Sequence, residues 1–260
     1  MSKFEGTAQY YAAYRPGIPE EAVPLLTGMV RGIASPTLLD LGSGTGQVPL
    51  ALHEVFAEID VVEADAGMIA EAEAALASLP DLAVRFHHVR AEDFAPPTPT
   101  WKADLVTICR AFHWMDQEKV LSLLDECTAP GGAVVVMGDG SLWTARSVWT
   151  DALRALIQDY LGAERRAGQN STYAVHDRPH AEVLGESAFA RVEEHRIDVR
   201  RQWSPEAVLG YLASTSFAAR PLFGDRWAEF EAQALELLRE HAQGDGLIEP
   251  AVFTVLIGRR

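Results

Sequence analysis

The first 130 residues alternate short apolar runs with stretches of helical spacing, and that rhythm leaves few architectures open. Leu38–Leu41, Ile59–Val62, Val84–Val89, Asp104–Cys109 and Ala133–Met137 read as strands. Val48–Phe56, Gly67–Leu79 and Glu118–Cys127 read as the helices between them, the second ended by Pro80. Strand, helix, strand in this order predicts parallel βαβ units with right-handed crossovers.

After Gly140 the rhythm breaks. Residues 143–161 are rich in Trp and Leu at helical spacing, and 163–180 are polar without a period. Val192–Trp203 alternates like a strand, and Ser204 followed by Pro205 marks a helix start. Arg226–His241 reads as a further helix and Ala251–Ile257 as a β-branched final strand.

At 260 residues with 48% apolar content, the chain can bury a substantial core. No apolar run reaches the ~18–20 residues that span a bilayer, and MSKFEGTAQYY lacks the marks of a signal peptide. Two cysteines, Cys109 and Cys127, are too few for a disulfide framework or a zinc cluster. His87 and His88 point to opposite faces of their strand, so no metal is expected there. A cytoplasmic, soluble protein is the expectation. The formal charge is −15, and the first 130 residues carry 8 basic against 19 acidic side chains. Such a field repels nucleic acid and anionic lipid, and no basic stripe offsets it.

The loop Asp40-Leu41-Gly42-Ser43-Gly44-Thr45-Gly46 joins the first strand to the first helix. Glycines there let the backbone turn tightly and approach a ligand. A phosphate-binding P-loop would end in Gly-Lys-Ser/Thr, but Gln47-Val48 follows. A dinucleotide fingerprint would need its third glycine where Gln47 stands. An acidic strand end followed by glycines at alternating positions fits a ligand whose amino-acid portion lies over the loop, with Asp40 attracting an ammonium.

This loop resembles the first motif of class I S-adenosylmethionine (SAM)-dependent methyltransferases. Glu63-Ala64-Asp65-Ala66-Gly67-Met68, Ala91-Glu92-Asp93-Phe94, Asp104-Leu105-Val106 and Ala129-Pro130-Gly131-Gly132 resemble the family's later segments, in order. Tyr14-Arg15-Pro16-Gly17-Ile18-Pro19, Ala111-Phe112-His113-Trp114-Met115-Asp116 and Leu209–Ser216 are similar to its small-molecule branch, which includes trans-aconitate methyltransferases.

The resemblance implies a Rossmann-like α/β fold: a seven-stranded, mostly parallel sheet with the last strand antiparallel, plus a helical substrate cap. It implies one domain, with a lid segment at 1–36, a SAM-binding core at 37–139, cap insertions and the sixth strand at 140–250, and the last strand at 251–258. Asp40, Gly42, Ser43, Gly44, Glu63, Ala64, Met68, Ala91, Glu92, Asp93 and Arg110 are the expected cofactor contacts. Glu63, 17 residues after Gly46, would accept the ribose hydroxyls. Met68 would pack on adenine, and Glu92 or Asp93 would accept its amino group; core packing and turn capping are the plainer roles for these three.

His113 is the candidate general base, since imidazole titrates near neutral pH; a structural His-Trp pair is the alternative. Tyr10, Tyr11, Tyr14 and Arg15 would form a lid over the donor, so that deleting residues 1–16 weakens SAM binding. Trp143, Trp149, Trp203, Phe217 and Phe223 suggest an apolar acceptor pocket or simply the core of the cap. Arg110, Arg146, Arg178 or Arg220 could hold an acidic acceptor. The expected reaction is methyl transfer from SAM to a small molecule, leaving S-adenosylhomocysteine, with O-methylation of a carboxylate or hydroxyl favoured. C- or N-methylation, SAM binding without transfer, and a nucleotide-dependent oxidoreductase are the rivals.

Overall fold

A computed structural model describes residues 6–77, 79, 82–168, 172, 178–244 and 246–260. In chain order the elements up to residue 138 are α1 (Ala8–Tyr14), α2 (Ala22–Gly28), β1 (Thr37–Leu41), α3 (Gln47–Leu52), β2 (Glu58–Val62), α4 (Ala66–Leu76), β3 (Ala83–His87), β4 (Ala103–Cys109), α5 (Gln117–Cys127) and β5 (Thr128–Gly138). There follow α6 (Val148–Leu161), α7 (His180–Gly185), β6 (Arg191–Trp203), α8 (Pro205–Ala213), α9 (Arg220–Phe223), α10 (Trp227–His241) and β7 (Leu247–Arg259).

Seven strands form one sheet in the order β3-β2-β1-β4-β5-β7-β6. The first five are parallel, and β7 runs antiparallel to β5, with Val136 opposite Leu256. The seven-stranded, mostly parallel sheet is therefore what the family resemblance implies. Two compact units are present. A sheet unit comprises Gly17–Asp139, His176–Ile197 and Phe253–Arg260; a helical unit comprises Met1–Pro16, Gly140–Val175 and Asp198–Val252.

The core of the sheet unit is built from the apolar strand residues themselves: Leu39, Leu41, Val106, Ile108, Val134 and Val136 pack with Phe112, Leu124 and Phe189. The helical unit has its own core, in which Trp149, Leu153 and Ile157 of α6 meet Val208, Leu212, Phe230, Ala234 and Leu238. Asp65, Asp116, Ser147 and Ser204 cap α4, α5, α6 and α8 through their side chains, which fixes where those helices begin. Ser147 explains why α6 starts at Val148 and not at 143.

Other boundaries differ from expectation for physical reasons. The Ala129–Gly132 turn lies inside β5 as a bulge: pairing with β4 jumps from Thr128 to Ala133, and Gly131 takes φ 82°. The final strand begins at Leu247, with Pro250 tolerated because the pairing to β5 uses only Thr254–Gly258. The short helices α2, α7 and α9 were not foreseen, since seven residues or fewer give no readable period. Pro80 and the Asn170-Ser171 pair of a glycosylation-like triplet lie outside the described residues.

One charged group belongs to the framework. Asp60 of β2 is fully buried, and its carboxylate accepts from Arg85 at 2.9 and 2.7 Å and from His87 Nε2 at 2.7 Å, both on β3. Burial alone would raise its pKa, but the His87 and Arg85 hydrogen bonds outweigh it and hold Asp60 below the usual carboxylate range. The stability it lends is therefore present at neutral pH and lost on acidification. We expect Asp60→Asn to cost about 2 kcal/mol, since partial exposure of Arg85 moderates the loss of a buried pair. Urea denaturation at pH 7 checks this; an unchanged midpoint removes the role.

Candidate active site

The glycine loop closes against the end of β2. Gly42 and Ser43 N–H groups donate to Val62 O at 2.8 and 3.1 Å, and Ser43 Oγ donates to Asp40 O at 2.7 Å. Gly42, Gly44 and Gly46 all take left-handed φ, at 66°, 56° and 78°. Only glycine holds such angles without strain, and at Gly42 space forbids anything larger. A Cβ there would stand 2.5 Å from Ala111 Cβ and 3.0 Å from Met115 Cε.

Glu63 ties the loop to the next helix. Its Oε2 accepts from Gly44 N–H at 2.9 Å and its Oε1 from Asp65 N–H at 2.8 Å. Asp65 in turn accepts from Gly67 and Met68 N–H groups, at 2.9 and 3.0 Å, so one carboxylate positions the loop and the other starts α4. Burial raises the Glu63 pKa, and the backbone N–H bonds oppose that rise.

Asp40 lies beneath the loop, 1% exposed. Oδ1 accepts from Thr107 Oγ1 at 2.6 Å, while Oδ2 is buried without a hydrogen-bond partner. Burial pushes its pKa up to about 7, against the Thr107 and Ser43 hydrogen bonds that lower it. Thr107 sits opposite Asp40 in the β1–β4 register. Sequence reasoning missed it, although a threonine inside the apolar run Leu105–Ile108 was the visible signal.

Arg110 and His113 lie in the segment that follows β4. Arg110 is the one non-glycine residue at positive φ (54°) among the described residues, a strained backbone at the carboxyl end of the strand. Its guanidinium pairs with Asp139 at 2.7 Å, a partner the sequence did not suggest. His113 is half-buried on a single 3-10 turn, Phe112–Trp114, its ring 4.6 Å from that of Trp114.

Ala91 is buried at the start of another such turn, Ala91–Asp93. Glu92, 6% exposed, accepts from Arg90 at 3.0 and 3.2 Å and from Asp116 N–H at 2.7 Å. Asp93 is exposed and faces Lys119 at 3.4 Å. Met68 is 2% exposed within α4, and Ala64 is exposed, its carbonyl accepting from His88 Nε2 at 3.1 Å. Residues 110–116 thus join the two halves: Ala111 and Met115 touch Gly42, and Asp116 reaches Glu92.

This constellation, a loop of left-handed glycines at the carboxyl ends of parallel strands with an acid on the next strand end, coincides with a family match. Residues 38–132 match the family model for a methyltransferase domain. The chain carries a methyltransferase domain of the SAM-dependent class. An uncharacterised methyltransferase of Mycobacterium tuberculosis is 25% identical over 210 residues, 80% of this chain and 74% of that protein. The demethylmenaquinone methyltransferase of Thermus thermophilus is 40% identical over 103 residues, 38% of this chain and 46% of that protein. A solved structure from Anabaena variabilis, given as a methyltransferase of an antibiotic biosynthesis pathway, shares the fold with a TM-score of 0.65 at 18% identity. It covers 94% of this chain and 98% of that one.

Every expected donor contact from Asp40 to Arg110, and His113 as well, lies within the span matched to the methyltransferase domain. Cys109 offers that domain no nucleophile at neutral pH, because burial pushes its thiol up to about 11. Among the described residues no helix is long and apolar enough to cross a membrane.

Outside the methyltransferase match, Tyr14 and Arg15 pack within the helical unit. Tyr14 lies against Gly210 of α8, where no side chain would fit. Arg15 donates to Ser214 Oγ at 2.9 Å and stacks over Tyr211 at 4.6 Å. Trp149, Phe217 and Phe223 are buried in the core of that unit, with Trp143 and Trp203 packed against it.

The arginines weighed for an acidic acceptor each meet carboxylates: Arg110 with Asp139, Arg146 with Asp151 at 3.6 Å, and Arg220 with Glu231 at 3.6 Å. Arg178 meets Glu118, Glu182 and Glu186, beside a groove of about 390 Å³ that none of the expected donor contacts lines.

Proposed function

We propose that the chain transfers a methyl group from SAM to a small-molecule acceptor, with O-methylation of a carboxylate or hydroxyl the favoured reaction. The observation that carries the donor assignment is Glu63: a half-buried carboxylate bonded to a loop amide on one side and a helix-start amide on the other. Its remaining lone pairs suit a pair of vicinal hydroxyls. Asp40 adds a buried oxygen without a partner, which suits a cationic ligand group, and Gly42 leaves the loop backbone bare. When bound, the donor supplies an electrophilic methyl on a sulfonium.

The chain's own part is to align the acceptor and exclude water. Asp40, Gly42, Ser43, Gly44, Glu63 and Ala64 hold the donor's amino-acid and ribose portions. Met68, Ala91, Glu92, Asp93 and Arg110 complete that binding surface. Residues 140–250 select the acceptor. Within the methyltransferases, the small-molecule branch near the trans-aconitate enzymes is the nearest fit, on the motifs at 14–19, 111–116 and 209–216. The acidic net charge supports an acceptor other than nucleic acid, and two unpaired cysteines suit a reducing, cytoplasmic setting.

A panel of acids, phenols and amines with labelled SAM tests the reading; transfer to none of them leaves a SAM-binding protein without activity. His113 separates the two acceptor classes. A hydroxyl must lose a proton, so His113→Ala is expected to lower its turnover about 100-fold, with SAM affinity kept. A carboxylate has no proton to lose, and its turnover is expected to stay unchanged. Unchanged turnover of a hydroxyl acceptor would remove His113 as the base.

A further inference from the structure

β6 is the end strand of the sheet, and among the described residues no other strand pairs with its outer side. It runs for 13 residues, none of them buried. A long exposed strand of this kind is a template for another strand unless something blunts it. The charges on β6 are ordered in a way that does the opposite of blunting.

Glu194, Arg196, Asp198 and Arg200 occupy successive positions of one face and are all exposed. His195, Ile197, Val199 and Arg201, on the other face, are half-buried. Two copies of a strand related by a two-fold axis perpendicular to the sheet pair antiparallel, with like faces together. If the axis passes through Ile197, Glu194 stands opposite Arg200 of the second copy and Arg196 opposite Asp198. By symmetry each pair occurs twice, so the exposed face becomes a ladder of four opposite-charge rungs. On the other face His195 meets Val199, and Ile197 meets its own copy.

Neighbouring registers fail. Moving the axis to Arg196 or Asp198 sets that residue against its own charge and brings Glu194 opposite Asp198, or Arg196 opposite Arg200. Against these neighbours the register about Ile197 is selected by both attraction and repulsion, and axes at His195 or Val199 keep only two of its four attractive rungs. Within one chain Glu194 already meets Arg196 at 3.3 Å, and both side chains keep about half their surface in water, free to re-pair across the strand edge.

We propose that β6 is a self-association edge, joining two copies of this chain antiparallel about Ile197 into one continuous sheet. Nothing in this depends on the methyl-transfer reading. Sedimentation equilibrium of the full chain at low ionic strength is expected to give the mass of two chains, falling towards one as salt rises. Arg196→Glu turns two attractive rungs repulsive and should weaken association about tenfold or more.

The double variant, Arg196→Glu with Asp198→Arg, is again self-complementary in the same register and should recover wild-type association within about threefold. Circular dichroism and SAM titration on all three forms are expected to coincide, since the substituted side chains are exposed. A monomeric wild type at low salt, a dimer indifferent to Arg196→Glu, or a double variant no better than the single one would each overturn the proposal.

Discussion

Glu63→Ala is expected to weaken SAM binding about 100-fold, because one substitution removes two charge-assisted acceptors of backbone N–H groups and the proposed ribose contacts. Gly44 N–H and Asp65 N–H both donate to this carboxylate. Their loss frees the loop to sample conformations that its three left-handed glycines permit. Glu63→Gln keeps one acceptor oxygen and should retain part of the affinity. Isothermal titration with SAM and S-adenosylhomocysteine checks both. Equal affinity in Glu63→Ala and wild type would remove Glu63 from the donor site while leaving the fold untouched.

The second large effect is a pH-dependent one at Asp40. Its folded pKa is raised from 3.8 to about 7, so between those values the folded state holds a proton that the unfolded chain has lost. Stability of the ligand-free protein therefore falls as pH rises through this window, by at most about 1.4 kcal/mol per unit. Asp40→Asn abolishes that slope. At pH 8 the ligand-free variant should melt about 10 °C above wild type, and the two should converge near pH 4. Added SAM should stabilise the wild type more than the variant, because an ionised Asp40 finds its partner in the donor's cationic group. A difference in melting temperature that is constant from pH 4 to pH 8 would show that Asp40 does not titrate there.

The strand positions in the first half were legible because each is a short apolar run, and the count of seven with an antiparallel last strand followed from the family resemblance. The glycine loop was legible for the same reason: Asp40, Gly42, Gly44 and Glu63 are close in sequence and space. What sequence could not reveal were partners far apart along the chain.

Thr107 reaches Asp40, Asp139 reaches Arg110 and Asp116 N–H reaches Glu92 only once parallel strands bring their carboxyl ends together. The role of Glu92 shows the limit well. Its position matches an adenine-side segment, and only the structure adds that Arg90 and the start of α5 hold its carboxylate in place. The short helices and the β5 bulge were hidden because their geometry comes from packing and register, not from local period.

The strand order carries a consequence for synthesis. β7 follows every other strand along the chain but lies between β5 and β6 in the sheet. Until it has left the ribosome, β5 has no outer neighbour and β6 has nothing to join. A nascent chain therefore holds the outer border of β5 unsatisfied for the whole time that residues 139–252 are being added, the interval in which most of the helical unit is made. β6 joins it as a second unpaired strand once residue 203 is in place. Such a topology folds late and all at once, through contacts distant in sequence. Early release, or truncation before Phe253, would leave aggregation-prone strands in place of a smaller working enzyme.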